Sequence, residues 1–128
     1  MKKIKIKTKK RKEIIDITEK VSNKIQINEG IVSLKSMHTT AGIFVNEGYD
    51  EDLKEDFINY FESLPNINFK HMEGNSKAHI FSTFIGNHIT IPVENKKMIL
   101  GRWQKILFFE FDGPRNRKIV IKEIENKN

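Results

Sequence analysis

The chain of 128 residues contains no cysteine. That single absence excludes disulfides, thiolate metal sites and cysteine nucleophiles, and it leaves any metal to imidazole and carboxylate ligands. No apolar run approaches the ~20 residues of a membrane-spanning helix, and the lysine-rich start lacks the apolar stretch of a signal peptide. A cytoplasmic protein without membrane contact is the expectation. The phosphate-cradling GxxxxGK[ST] pattern, GxGxxG, GxSxG and HExxH are all missing, which removes the common nucleotide, hydrolase and zincin signatures. No internal repeat, linker or low-complexity segment interrupts the chain, so residues 1–128 read as one domain.

What is present is ordinary in amount and uneven in placement. Hydrophobic residues make up 38% and charged residues 31%, the balance of a globular domain with a well-solvated surface. The net charge is +6, yet residues 1–12 hold eight of the 23 basic side chains and no acid, leaving 15 basic against 17 acidic in the rest. Ile4 and Ile6 alternate with Lys3, Lys5 and Lys7. This is the period of a strand with one wet face. Lysines of that kind also blunt a sheet edge, and no aromatic residues are interleaved with them. A solvated strand is therefore preferred to a phosphate-binding stripe, and nucleic acid is an unlikely partner.

Periodicity predicts strands at both ends with helices between. Thr18 reads as the N-cap of a first helix that carries Val21 and Ile25 and stops at Gly30. Residues 31–38 and 42–46 read as strands. Residues 50–64 read as the clearest helix, capped by Asp50, with Leu53, Phe57, Tyr60, Phe61 and Leu64 on one stripe. Pro65 closes it, and a polar loop with Gly74 follows. The remainder reads as strands at 78–85, 88–94, 98–111 and 117–124, with turns at Gly86-Asn87, Glu94-Asn95 and Asp112-Gly113-Pro114. The sum is an α+β domain, mainly an antiparallel sheet system with two helices packed on it.

Chemistry-bearing residues lie near the predicted strand ends. His38, His71, His79 and His88 are the four histidines, and three imidazoles with an open position suit zinc. Their spacing does not by itself bring them together. Composition alone favours four independent histidines. Glu47 follows a short strand, and Asp56 flanks the apolar stripe of the long helix. Either carboxylate suits a proton carrier or ligand if partly buried, and a solvated acid otherwise.

Read in order, "RKEIIDIT", "HTTAGIFVNEGYDEDLKEDF", "KHMEGNSKAHIFSTFIGNHITIPV" and "LGRWQKILFFEFDGPRNRKIVI" resemble the YjbQ family, whose members are described as secondary thiamine-phosphate synthases. The resemblance spans nearly the whole chain. It implies a YjbQ-like trimeric α+β fold and a pocket near a subunit boundary, hence a homotrimer. It places metal ligands on His38, His71 and His79, with Glu47 and Asp56 as catalytic acids. Thr39, Asn46, Asn75 and Gln104 fall on its shared polar positions, with Trp103 beside Gln104. Arg117 is a candidate phosphate contact from charge, with a solvent-facing role equally open. The chain departs from the family in having Arg102 within "GRWQ", where many relatives carry threonine, and in a shorter 71–79 loop.

The implied reaction joins an aminopyrimidine diphosphate to a thiazole phosphate and releases pyrophosphate. A divalent metal would stabilise the departing group, and the imidazole ligands favour zinc over magnesium, which prefers oxygen. That mismatch with magnesium-pyrophosphate chemistry keeps two alternatives open. One is a metal-dependent hydrolase or lyase on another small-molecule substrate, and the other is a binding protein without catalysis.

Overall fold

The computed structural model describes residues 2–127. Eleven elements follow one another: β1 (Lys2–Lys7), β2 (Glu13–Asp16), α1 (Thr18–Ser22), β3 (Glu29–Ser36), β4 (Ala41–Glu47), α2 (Glu51–Ser63), α3 (Ser76–Ile85), β5 (His88–Glu94), β6 (Lys97–Met98), β7 (Gln104–Glu110) and β8 (Asn116–Glu125). They form a five-stranded sheet ordered β1-β8-β3-β5-β6 and a three-stranded sheet ordered β2-β7-β4. Every pairing is antiparallel. The α+β class predicted from the sequence is what the chain adopts, with a third helix.

Alternation along β7 builds two cores from one strand. Ile106 and Phe108 face the five-stranded sheet, where they meet Ile4, Val32, Leu34, Ile119 and Ile121. Leu107 and Phe109 face the other way, against Phe61 of α2 and Phe81 of α3. The three-stranded sheet is thus a middle layer buried on both sides, which is why "ILFF" is continuously apolar. Each such side chain removed from water contributes roughly 1.5–3 kcal/mol. Phe61, Phe81, Phe109 and Phe111 also meet ring to ring, with Phe109 and Phe111 stacked at 4.1 Å between centroids.

Asp50 caps α2 as predicted, its Oδ1 accepting from the Asp52 N–H at 2.9 Å. Glu51 and Asp52 add negative charge at the positive helix end. Only Phe61 of the predicted apolar stripe is buried. Tyr60 is 64% exposed, and Ile58 packs against the core instead.

Three expectations are corrected. Residues 76–85 are the helix α3, not a strand, because Ala78, Phe81, Ser82 and Ile85 recur at helical spacing against the middle sheet. The helix ends at Gly86, whose φ of +99° a side chain would resist. The first helix is only five residues long, and Thr18 is inside it. Asp16 Oδ1 accepts from the Thr18 N–H at 2.9 Å, while Thr18 Oγ1 accepts from Ile106 N–H at 2.8 Å and ties α1 to β7. The predicted strand 98–111 begins only at Gln104, so Arg102 lies in a turn, its guanidinium 4.9 Å from the Trp103 ring centroid. Arg102 therefore does not share a strand face with Gln104.

Candidate functional site

Strand ends from both sheets converge with the start of α3 around a cavity of about 650 Å³. His38 and Thr39 come from the link between β3 and β4, Asp112 and Arg115 from the turn after β7, Arg117 from β8, and Asn75 and His79 from α3 and its N-cap. The floor is a buried ion pair. Nε of Arg117 donates to Oε1 of Glu110 at 2.8 Å, and its Nη2 donates to Oε2 of the same carboxylate. Glu110 also accepts from Thr8 Oγ1 at 2.7 Å and from the Asp112 N–H at 3.1 Å. Nη2 reaches Thr40 Oγ1 at 2.8 Å. Nη1 of Arg117 has no hydrogen-bond partner among the described residues.

Asp112 organises the opposite wall. Its Oδ2 accepts from Asn75 Nδ2 at 2.9 Å and from Arg115 Nη2 at 3.1 Å. Burial pushes its carboxyl up, but the Asn75 and Arg115 hydrogen bonds and the charges of Arg115 and Arg11 outweigh this and hold it below the ordinary value. The arrangement leaves Asn75 Oδ1 buried with no donor among the described residues. An orphaned acceptor beside a cavity is costly unless a ligand or water donates to it.

His38 extends the β3–β8 ladder with its side chain. Met37 N–H donates to the Lys118 carbonyl at 3.3 Å. Beyond it, Nε2 of His38 accepts from the Lys118 N–H at 2.8 Å. Partial burial, then the Arg117 charge, lowers its pKa below 6.5, so the ring is neutral at pH 7. With Nε2 accepting, the proton sits on Nδ1. His38 therefore offers a hydrogen-bond donor, and its Nε2 lone pair is already used.

His71 and His79 meet edge to face with centroids 5.1 Å apart. Glu73 Oε2 lies 3.8 Å from His71 Nε2. Among the described residues no group of three or more His, Asp and Glu side chains is placed to hold a metal. The expected His38, His71 and His79 sphere is not assembled within one chain: two of the rings are neighbours, and the third has its Nε2 committed to the backbone.

Of the other predicted site residues, Asn46, Glu47, Asp56 and Gln104 lie elsewhere. Glu47 and Gln104 face each other at the far ends of β4 and β7, about 20 Å along the strand from Ala41. Glu47 accepts from the Tyr49 and Asp50 N–H groups, Asn46 Oδ1 from Glu47 N–H, and Gln104 Oε1 from Gly101 N–H. All four contacts shape the chain locally. Beside them Tyr49 and Trp103 meet at right angles 5.7 Å apart, each more than half exposed. Asp56 is exposed on α2. Thr39, Asn75 and Arg117 do line the cavity. Glu110, Asp112 and Arg115 were missed by the sequence reading, although a carboxylate inside "ILFFEF" is a signal that a buried partner exists.

The model of a protein family described as UPF0047 protein YjbQ-like matches residues 2–126. The chain belongs to the YjbQ family. It is 45% identical to the UPF0047 protein of Methanocaldococcus jannaschii, an alignment covering 98% of this chain and 94% of that one. With YugU of Bacillus subtilis, also a UPF0047 protein, the identity is 44% over 95% and 97% of the two chains. The fold superimposes on the crystal structure of an uncharacterised conserved YjbQ/UPF0047 protein from Clostridium acetobutylicum with a TM-score of 0.90, at 39% identity, over 97% of this chain and all of that one. The match spans nearly the whole length of each of these YjbQ relatives.

Proposed function

We propose that this YjbQ-family chain is an enzyme that acts on a small phosphorylated molecule bound in the His38–Arg117 cavity. One observation supports the reading above the others: a single cavity offers two arginines, a neutral imidazole with its proton on Nδ1, and an acceptor without a donor. Nη1 of Arg117 and Nη1 of Arg115 are unpartnered among the described residues and suit phosphate oxygens. His38 Nδ1–H suits an oxygen on which negative charge builds. Asn75 Oδ1 suits an N–H or O–H of the ligand. His79, on the α3 wall, has no hydrogen bond to its ring among the described residues and suits proton delivery to a leaving group.

Thiamine-phosphate synthesis, which the family resemblance implies, belongs to this class. The thiazole nitrogen attacks the pyrimidine methylene carbon, a C–N bond forms, the C–O bond breaks, and pyrophosphate departs with both electrons of that bond. The arginines and His38 would hold the pyrophosphate oxygens through that departure. The donor set does not fit the zinc site expected from the three histidines, so no step runs through a metal. Phosphorylated substrates and products are retained by membranes, which favours work in the cytoplasm, and no helix among the described residues is long and apolar enough to cross one.

The far cluster of Glu47, Asn46 and Gln104 supports a site shared between copies. Within one chain it cannot reach His38, whereas the implied homotrimer offers the meeting. Purified protein given both precursors should release pyrophosphate and form thiamine phosphate, and His38→Gln should lower that rate by about 10²-fold. Equal rates in wild type and variant would dismiss this reading. Mixing His38→Gln with Gln104→Ala chains should restore activity if the site is shared, and no recovery would confine it to one chain.

A further inference from the structure

The basic start of the chain is not a free arm. Lys3, Lys5 and Lys7 stand exposed on β1, an edge strand, and the register sets Lys5 directly opposite Lys118 on β8. Like charges facing each other across a ladder oppose folding. Nothing among the described residues relieves this pair, because neither lysine joins an ion pair.

At the β1 edge the same lysines open onto a cleft of about 410 Å³. Lys5, Lys7, Lys20 and Lys118 line it with Asn116 and Arg117, and no carboxylate contributes. Four lysines lining one concavity without an acid among them concentrate positive potential and favour a ligand carrying several negative charges. Ile6 is the single apolar side chain in the lining, and no aromatic ring is present. Recognition there rests on charge and N–H donors, with nothing on which a base or sugar ring could stack. Lys5 and Lys7 are two residues apart on a strand, about 6.8 Å, a separation that several linked phosphates bridge better than one. Arg117 is held by Glu110 and borders both this cleft and the His38 cavity.

We propose that this lysine cleft is a second anion site, separate from the His38 cavity, which takes a linear oligophosphate. The site has no part in the reaction proposed above. Its occupant neutralises the Lys5–Lys118 repulsion and the neighbouring ammoniums together, which a monovalent counterion does poorly.

Calorimetric titration of the full chain with sodium tripolyphosphate, orthophosphate and a DNA duplex of about 20 base pairs tests this, at roughly 50 and 200 mM salt. Tripolyphosphate should bind at least about tenfold more tightly than orthophosphate and weaken as salt rises. Lys5→Gln/Lys20→Gln should weaken it by about tenfold or more while the unfolding midpoint stays level or rises, because one of the facing like charges is gone. Binding unchanged in that variant would overturn the proposal. So would equal affinity for orthophosphate, or tighter binding of the duplex, which assigns the face to nucleic acid. Tripolyphosphate binding that is lost in Arg115→Gln and kept in Lys5→Gln/Lys20→Gln places the ligand in the His38 cavity and also overturns it.

Discussion

Arg117 Nε donates to Glu110 Oε1 at 2.8 Å although the two residues stand in different sheets, Glu110 closing β7 and Arg117 near the start of β8. Both side chains are almost wholly shielded, at 4% and 0% exposure. The pair therefore pins one sheet to the other at the cavity floor. It also fixes the direction in which the guanidinium faces the cavity.

Removing one partner leaves a buried charge alone. Glu110→Gln is expected to cost about 3–5 kcal/mol in urea unfolding. Replacing both, as Glu110→Leu with Arg117→Met, should recover much of that loss, because an apolar pair of similar volume carries no desolvation penalty. The double variant should not recover affinity for a phosphorylated ligand. A stable double variant that still binds would remove Arg117 from the site.

His38 gives the protein a pH dependence of definite sign. Its folded pKa lies below the ordinary 6.5, so the unfolded chain binds the proton more readily. Its neutral form stabilises the fold fully above about pH 6.5, and that contribution falls as pH drops from there toward the lowered folded value. Denaturation midpoints across pH 5 to 8 should slope upward with pH more steeply in wild type than in His38→Gln. Nitrogen NMR should show the proton on Nδ1 at neutral pH. A ring titrating at or above the ordinary value would contradict the backbone hydrogen bond to Nε2.

Asn75 separates two effects by its choice of replacement. Asn75→Ala deletes the bond to Asp112 and should lower stability by about 1 kcal/mol. Asn75→Asp adds a carboxylate beside Asp112 and facing the cavity. The aspartate variant should lose affinity for an anionic ligand by considerably more than the alanine variant, measured by calorimetry. Equal losses would mean that Asn75 acts on the fold alone.

The donor geometry also makes a metal prediction. Protein dialysed against EDTA should keep its melting temperature within about 1 °C, and added zinc should not raise it. A rise of several degrees that His79→Ala abolishes would reinstate the three-imidazole site.

Much of the fold was readable in the sequence because its signals are local. The alternation of Ile4 and Ile6 with lysines, the Asp50 cap and the apolar run in β7 each declare their element within a few residues. Helix α3 did not, since "AHIFSTFI" is rich in β-branched and aromatic residues. Its outward face is apolar too: Ile80 is 39% and Phe84 72% exposed, which hides the helical period. The site was half legible. His38, Asn75 and Arg117 were singled out, but the pairing of Glu110 with Arg117 depends on the two sheets meeting, which no local pattern encodes. Glu47 and Gln104 were grouped with His38 by resemblance, and the length of β4 separates them.

Helix α3 is fastened at both ends. Ser82 Oγ donates to the Ala41 carbonyl at 2.9 Å and Ile43 N–H to the Gly86 carbonyl at 3.0 Å, while Asn75 holds Asp112 at the start. The exposed stretch from Pro65 to Gly74 that leads into the helix therefore does not anchor it, although His71 within that stretch packs edge to face on His79. Insertions and deletions there can accumulate at little cost to stability. Because Glu73 from that stretch still borders the cavity, changes there can reshape the cavity rim while the walls stay where the sheets have put them.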